Sequence, residues 1–84
     1  MVEKLRKRLI YKATHRGMKE TEKILGGFAR CELEELSEDL LDQFDNFLDL
    51  SDSDILNWVL YPENVPDEYD SDIFRLLIAF KDKI

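Results

Sequence analysis

A chain of 84 residues is long enough for one domain around one modest core, which excludes multidomain architectures. At 44% hydrophobic and 37% charged it is too apolar for a disordered chain, and with three Gly and two Pro its helix-favouring Leu, Lys and Glu point to an all-α fold. The net charge of −7 is split: residues 1–30 hold nine Lys/Arg against three Asp/Glu, net +6, and residues 31–84 hold three against sixteen, net −13. A basic end facing an acidic body suggests oriented docking with a charged partner, solvated helix faces being the plainer reading.

The first expected helix covers residues 3–14. Leu5, Leu9 and Ala13 form one stripe with Ile10 beside it, and Lys4, Arg6, Lys7, Arg8 and Lys12 fill the other faces. Arg16-Gly17 breaks it. A second helix over 18–31 turns Ile24, Leu25, Phe28 and Ala29 inward. Gly26 and Gly27 lie inside it, each costing about 1 kcal/mol against Ala, which a close helix crossing or a kink would explain. A third helix over 37–50 has Ser37 as N-cap, Leu36 stapled to Leu41, and Leu40, Leu41, Phe44, Phe47 and Leu48 as its apolar face. The fourth, over 53–60, is capped by Ser51 or Asp52, with Asp54 three residues after Ser51. Tyr61-Pro62 to Val65-Pro66 reads as a loop. The fifth, over 71–83, buries Ile73, Phe74, Leu77, Ile78 and Phe80, with Lys81 and Lys83 suited to its negative end. The expected architecture is all-α: a compact bundle of five short helices in a single domain, residues 1–84.

Few constellations carry chemistry. The series Asp49, Ser51, Ser53 lacks the glycine and the final acid of a calcium loop. His15 and Cys31 are the only residues of their kinds, so no metal set is expected. Cys31 reads as a packing thiol, with no second thiol for a disulfide. Gly26-Gly27 lacks the spacing of a phosphate loop. No apolar run approaches the roughly 20 residues of a membrane span, and the N-terminus does not have the apolar stretch of a secretory signal. No catalytic residue is assigned; a small enzyme using Glu20 and His15 as acid and base is disfavoured by the limited room for a pocket.

The distinctive segment is Arg16-Gly17-Met18-Lys19-Glu20, where the basic helix ends and the next begins. A permanent cation, a position without a Cβ and an anion gather on one small surface. Residues 8–20, with Asp54-Ile55-Leu56-Asn57-Trp58 downstream, resemble the FAD assembly factors of succinate dehydrogenase, the family of bacterial SdhE and mitochondrial succinate dehydrogenase assembly factor 2. The likeness covers residues from about 8 to 60; Thr21-Glu22 and Gly26-Gly27 depart from the apolar and acidic residues expected after the motif. It implies a chaperone, not an enzyme, that binds the flavoprotein subunit and promotes covalent attachment of FAD to it; whether fumarate reductase is also a client is left open by the sequence. It also implies a partner-binding set of Arg16, Gly17 and Glu20, flanked by Tyr11, His15, Asp54, Asn57 and Trp58. Arg16 would clamp a client carboxylate or carbonyl, Glu20 would meet a cation, and Gly17 would give clearance. The body of Trp58 reads as a core anchor. No cofactor would be bound by the chain itself, which would act on FAD held by its client. A bacterial cytoplasm is the expected location, or the mitochondrial matrix for a eukaryotic source. The alternative is a helical adaptor or regulator that meets nucleic acid or an anionic surface through the basic first helix.

Overall fold

Each apolar stripe read from the sequence becomes the buried face of a helix. The computed structural model describes residues 2–83, which form α1 (Val2–Thr14), α2 (Lys19–Glu32), α3 (Glu38–Leu48), α4 (Asp52–Leu60) and α5 (Asp72–Lys83). Short 3₁₀ turns at Leu33–Glu35, Pro62–Asn64 and Asp67–Tyr69 fill the connections, and no strand occurs among the described residues. The fold is all-α, as expected.

The helix ends follow local chemistry. Ser37 accepts the Leu40 N–H at 3.3 Å and Ser51 accepts that of Asp54 at 3.2 Å, so Ser51, not Asp52, caps α4. Ser71 accepts from Phe74 at 3.4 Å, while the Gln43 side chain of α3 takes the Ile73 N–H at 3.2 Å. The third helix closes at Leu48 rather than 50. The Asp49 and Leu50 N–H groups turn back to Asn46 and Phe47 in tightened i−3 bonds of 3.2 and 3.1 Å. Lys81 serves a different helix from the one expected, donating at 3.0 Å to the Val59 carbonyl near the negative end of α4.

Inside, Leu9, Ala13, Leu25, Leu41, Phe44 and Val59 are fully buried. Phe28 is the hub, meeting Phe44 edge-on at 5.4 Å and Phe80 at 5.8 Å. Leu5, Ile10, Ile24, Leu40 and Ile78, expected inside, are only partly buried at the margin. Trp58 is likewise half-buried and stacks on Tyr69 at 5.4 Å, so its anchor is the segment before α5 as much as the core. Cys31 is exposed, correcting its reading as a packing thiol; the inward positions near it are Phe28, Ala29 and Leu33.

The two helical glycines mark close contacts rather than a kink. α1 and α2 form an antiparallel pair, and a Cβ on Gly26 would lie 3.1 Å from the Thr14 methyl. A Cβ on Gly27 would meet the Phe80 ring at 3.4 Å. Gly26→Val therefore forces α1 and α2 apart and is expected to cost about 2 kcal/mol, read as a lower urea midpoint at unchanged slope.

Candidate functional site

The turn between α1 and α2 sits against the turn between α3 and α4, and each satisfies backbone groups the other leaves open. Arg16, just past α1, reaches across with three donors. Its Nε meets Asp52 Oδ1 at 2.7 Å, Nη1 meets the Leu48 carbonyl at 2.5 Å and Nη2 the Leu50 carbonyl at 2.9 Å. Those carbonyls belong to the end of α3, where helical partners run out and the dipole is negative. In return Asp52 Oδ2 accepts the N–H groups of Gly17 at 2.8 Å and Met18 at 3.2 Å, at the start of α2. The Glu22 side chain takes the Arg16 N–H at 3.2 Å, and the buried Thr21 donates to the Met18 carbonyl at 2.9 Å. Thr21 and Glu22, two of the residues that depart from the family pattern, thus hold the same turn.

Arg16, expected to clamp a client group, has its guanidinium fork engaged within the chain: its side chain is 10% exposed and that of Asp52 16%. Gly17 gives clearance to Asp52: a Cβ there would lie 3.2 Å from Asp52 Oδ2. Burial pushes the Asp52 carboxyl up. The Arg16 hydrogen bond and charge and the Gly17 N–H outweigh this and hold it below the ordinary 3.8.

The other residues divide by exposure. Tyr11 and His15 stack at 3.9 Å on the open end of α1. His15 Nδ1 lies 2.9 Å from the Tyr11 carbonyl and 3.1 Å from the Thr14 hydroxyl. Glu20, Asp54 and Asn57 are exposed. Asn57 accepts from Asn64 at 3.0 Å, and Trp58 turns toward Tyr69, so these two serve the α4–α5 connection as well as any outer face. Asp52 was missed as a site residue. Read locally it is a capping candidate, and only the fold reveals what its carboxylate reaches.

Three of the five cations of α1, Arg6, Arg8 and Lys12, are also engaged internally, while Lys4 and Lys7 are exposed. Arg8 meets Asp45 at 3.0 Å, and Lys12 meets Asp45 at 2.6 Å and Asp49 at 2.8 Å. Arg6 donates to the Leu33 and Leu36 carbonyls, both at 3.3 Å. The basic helix lies along acidic α3, which weakens the reading of α1 as a contact for nucleic acid or an anionic surface. Burial pushes the Lys12 ammonium down, but the hydrogen bonds and charges of Asp45 and Asp49 raise it above 10.5. The Lys12 hydrogen bond, with the charges of Lys12 and Arg8, lowers Asp45 against its burial.

The family model described as the flavinator of succinate dehydrogenase matches residues 7–81, spanning both junctions. The chain belongs to this family. Among curated relatives, it is 38% identical over 76 residues to the mitochondrial succinate dehydrogenase assembly factor 2 of Dictyostelium discoideum, covering 90% of this chain and 54% of that protein. It is 40% identical over 65 residues to the Schizosaccharomyces japonicus protein of the same name, covering 77% and 46%. With the FAD assembly factor SdhE of Acetobacter pasteurianus it shares 27% over 73 residues, 87% of this chain and 67% of the relative. The chain spans about half the length of the first two. Among the described residues of this family member, no helix is long and apolar enough to cross a membrane.

Asp52→Ala is expected to cost about 3 kcal/mol, leaving a largely buried guanidinium and two N–H groups without their carboxylate. The pH dependence has a definite sign. Asp52 and Asp45 have lowered folded values, so their stabilisation is present above the ordinary 3.8 and lost as pH falls through those lowered values. The raised Lys12 acts oppositely: its contribution is present below 10.5 and lost as pH rises through its folded value. Urea unfolding across pH is therefore expected to show a gap between wild type and Asp52→Ala that narrows in acid.

Proposed function

We propose that the chain docks on the flavoprotein subunit of succinate dehydrogenase and promotes covalent attachment of FAD to it, as an assembly factor rather than a catalyst. The match to the flavinator family across residues 7–81 carries this reading. Attachment joins a flavoprotein histidine to the 8α-methyl carbon of the flavin, a step that needs geometry held and developing negative charge stabilised. A small helical protein supplies this indirectly, by binding one arrangement of its client more tightly than another. Fumarate reductase, if built on a like flavoprotein, is a second client of the same kind. The site of action is wherever the client is assembled, the cytoplasm of a bacterium or the mitochondrial matrix of a eukaryote.

Within this function Arg16 and Gly17 position the docking face and Glu20 touches the client. Tyr11 and His15 extend the face along α1, and Asp54 and Asn57 extend it along α4. Stability and activity should therefore separate. Glu20→Ala is expected to abolish flavinylation, read as in-gel flavin fluorescence of the flavoprotein, with an unchanged melting temperature. Arg16→Ala should lower both. Full flavinylation with Glu20→Ala would remove Glu20 from the contact.

FAD belongs to the client in this scheme. A surface depression of about 520 Å³ is lined by Ser37, Asp39, Leu40, Asp72, Arg75 and Leu76. Two carboxylates stand there against one arginine, which itself pairs with Asp70 and Asp72 at 3.4 and 3.8 Å. That balance disfavours a pyrophosphate. Isothermal titration of the isolated protein with FAD is expected to give no heat of binding; stoichiometric binding in the micromolar range, on the order of −8 kcal/mol, would indicate flavin delivery instead.

A further inference from the structure

The apolar pattern of α4 exceeds what its packing uses. Ile55 and Val59, four residues apart, are 1% and 0% exposed and satisfy the core. Leu56 and Leu60 form a second stripe at the same spacing, and Leu60 is 53% exposed. With Ile24 of α2 they floor a groove of about 330 Å³, whose rim carries Glu20, Lys23 and Lys81. Lys81 is already engaged with the Val59 carbonyl at 3.0 Å and Asp82 at 3.6 Å. Among the described residues, neither Glu20 nor Lys23 is in an ion pair. An open carboxylate and an open ammonium, three residues apart on α2, thus flank an apolar floor.

We infer that this groove is a socket for an apolar side chain of the flavoprotein partner, presented between a cation that meets Glu20 and an anion that meets Lys23. The inference rests on the docking function proposed above and names the chemistry of that contact. The mixed rim selects this occupant. A polyanion would be repelled by Glu20, and a lipid surface would leave its carboxylate without a counter-charge. A protein segment with alternating charge can satisfy both rim groups while its apolar side chain covers Leu56 and Leu60, the arrangement in which a few central contacts dominate affinity. The groove also continues from Glu20, the motif residue that remains exposed beside the Arg16 clasp.

The test is direct binding to the purified flavoprotein subunit, by titration calorimetry, of wild type, Leu60→Asp, Leu60→Gln and Leu76→Asp. Leu76 is 41% exposed on the α3–α5 side and serves as the control. Leu60→Asp is expected to weaken binding at least tenfold, with Leu60→Gln weaker than wild type in case the new carboxylate disturbs the end of α4. Leu76→Asp should bind as wild type, and all four should melt alike. Wild-type affinity in both Leu60 variants would overturn the socket while leaving the docking function standing. Equal losses at Leu60 and Leu76 would overturn its location. Failure of the wild-type protein to bind the flavoprotein would overturn both.

Discussion

The Arg16–Asp52 contact is the constraint on which the shape of the molecule turns. Helix termini leave N–H and C=O groups without helical partners, and a bundle of short helices has many termini relative to its core. Here two such ends are solved together. The guanidinium takes carbonyls at the close of α3, and the carboxylate at the start of α4 takes N–H groups at the start of α2. One ion pair, 2.7 Å long and largely screened from water, therefore fixes where four helices meet. Arg6 does related work at the other end of α1, donating to the turn between α2 and α3. The first helix is held at both ends by arginines.

The same arrangement accounts for the charge split. Arg8, Lys12 and Arg16 succeed one another at four-residue spacing and meet Asp45, Asp49 and Asp52 in the same order, so α1 runs alongside α3 in the same sense. The positive end and the negative body are to this extent one another's partners. Exposed members of this ladder contribute little individually, and its value lies in specifying register. The charges left to face outward, Glu20 and Lys23 among them, are fewer than the sequence total suggests.

The local features of the fold were legible because they have local causes. Leu9 and Ala13, Leu25 and Phe28, Leu41 and Phe44 announce themselves by the 3.6-residue period, and Ser37 and Ser51 by their place before it. What depends on residues distant in the chain was not legible. Nothing near Asp52 says that its carboxylate meets Gly17, 35 positions earlier, and without that the Arg16 fork reads as free for a partner. Cys31 was misplaced because helical period alone leaves a borderline position undecided at the end of α2. Gly26 shows how the two kinds of information combine: its propensity cost signalled a close contact, and the fold identified the Thr14 methyl.

A fixed junction suits the proposed role. An assembly factor that favours one arrangement of its client gains only the difference between its affinities for the alternatives. Ordering a flexible docking segment at the moment of binding would reduce that affinity, since each immobilised side chain costs about 0.5–1.5 kcal/mol. The clasp meets this cost during folding, when the core and paired helix ends offset it. Glu20 and the Leu56–Leu60 groove are then offered from helices whose relative position is already set. In the proposed role, an internally engaged Arg16 would serve binding through the precision with which it holds its neighbours.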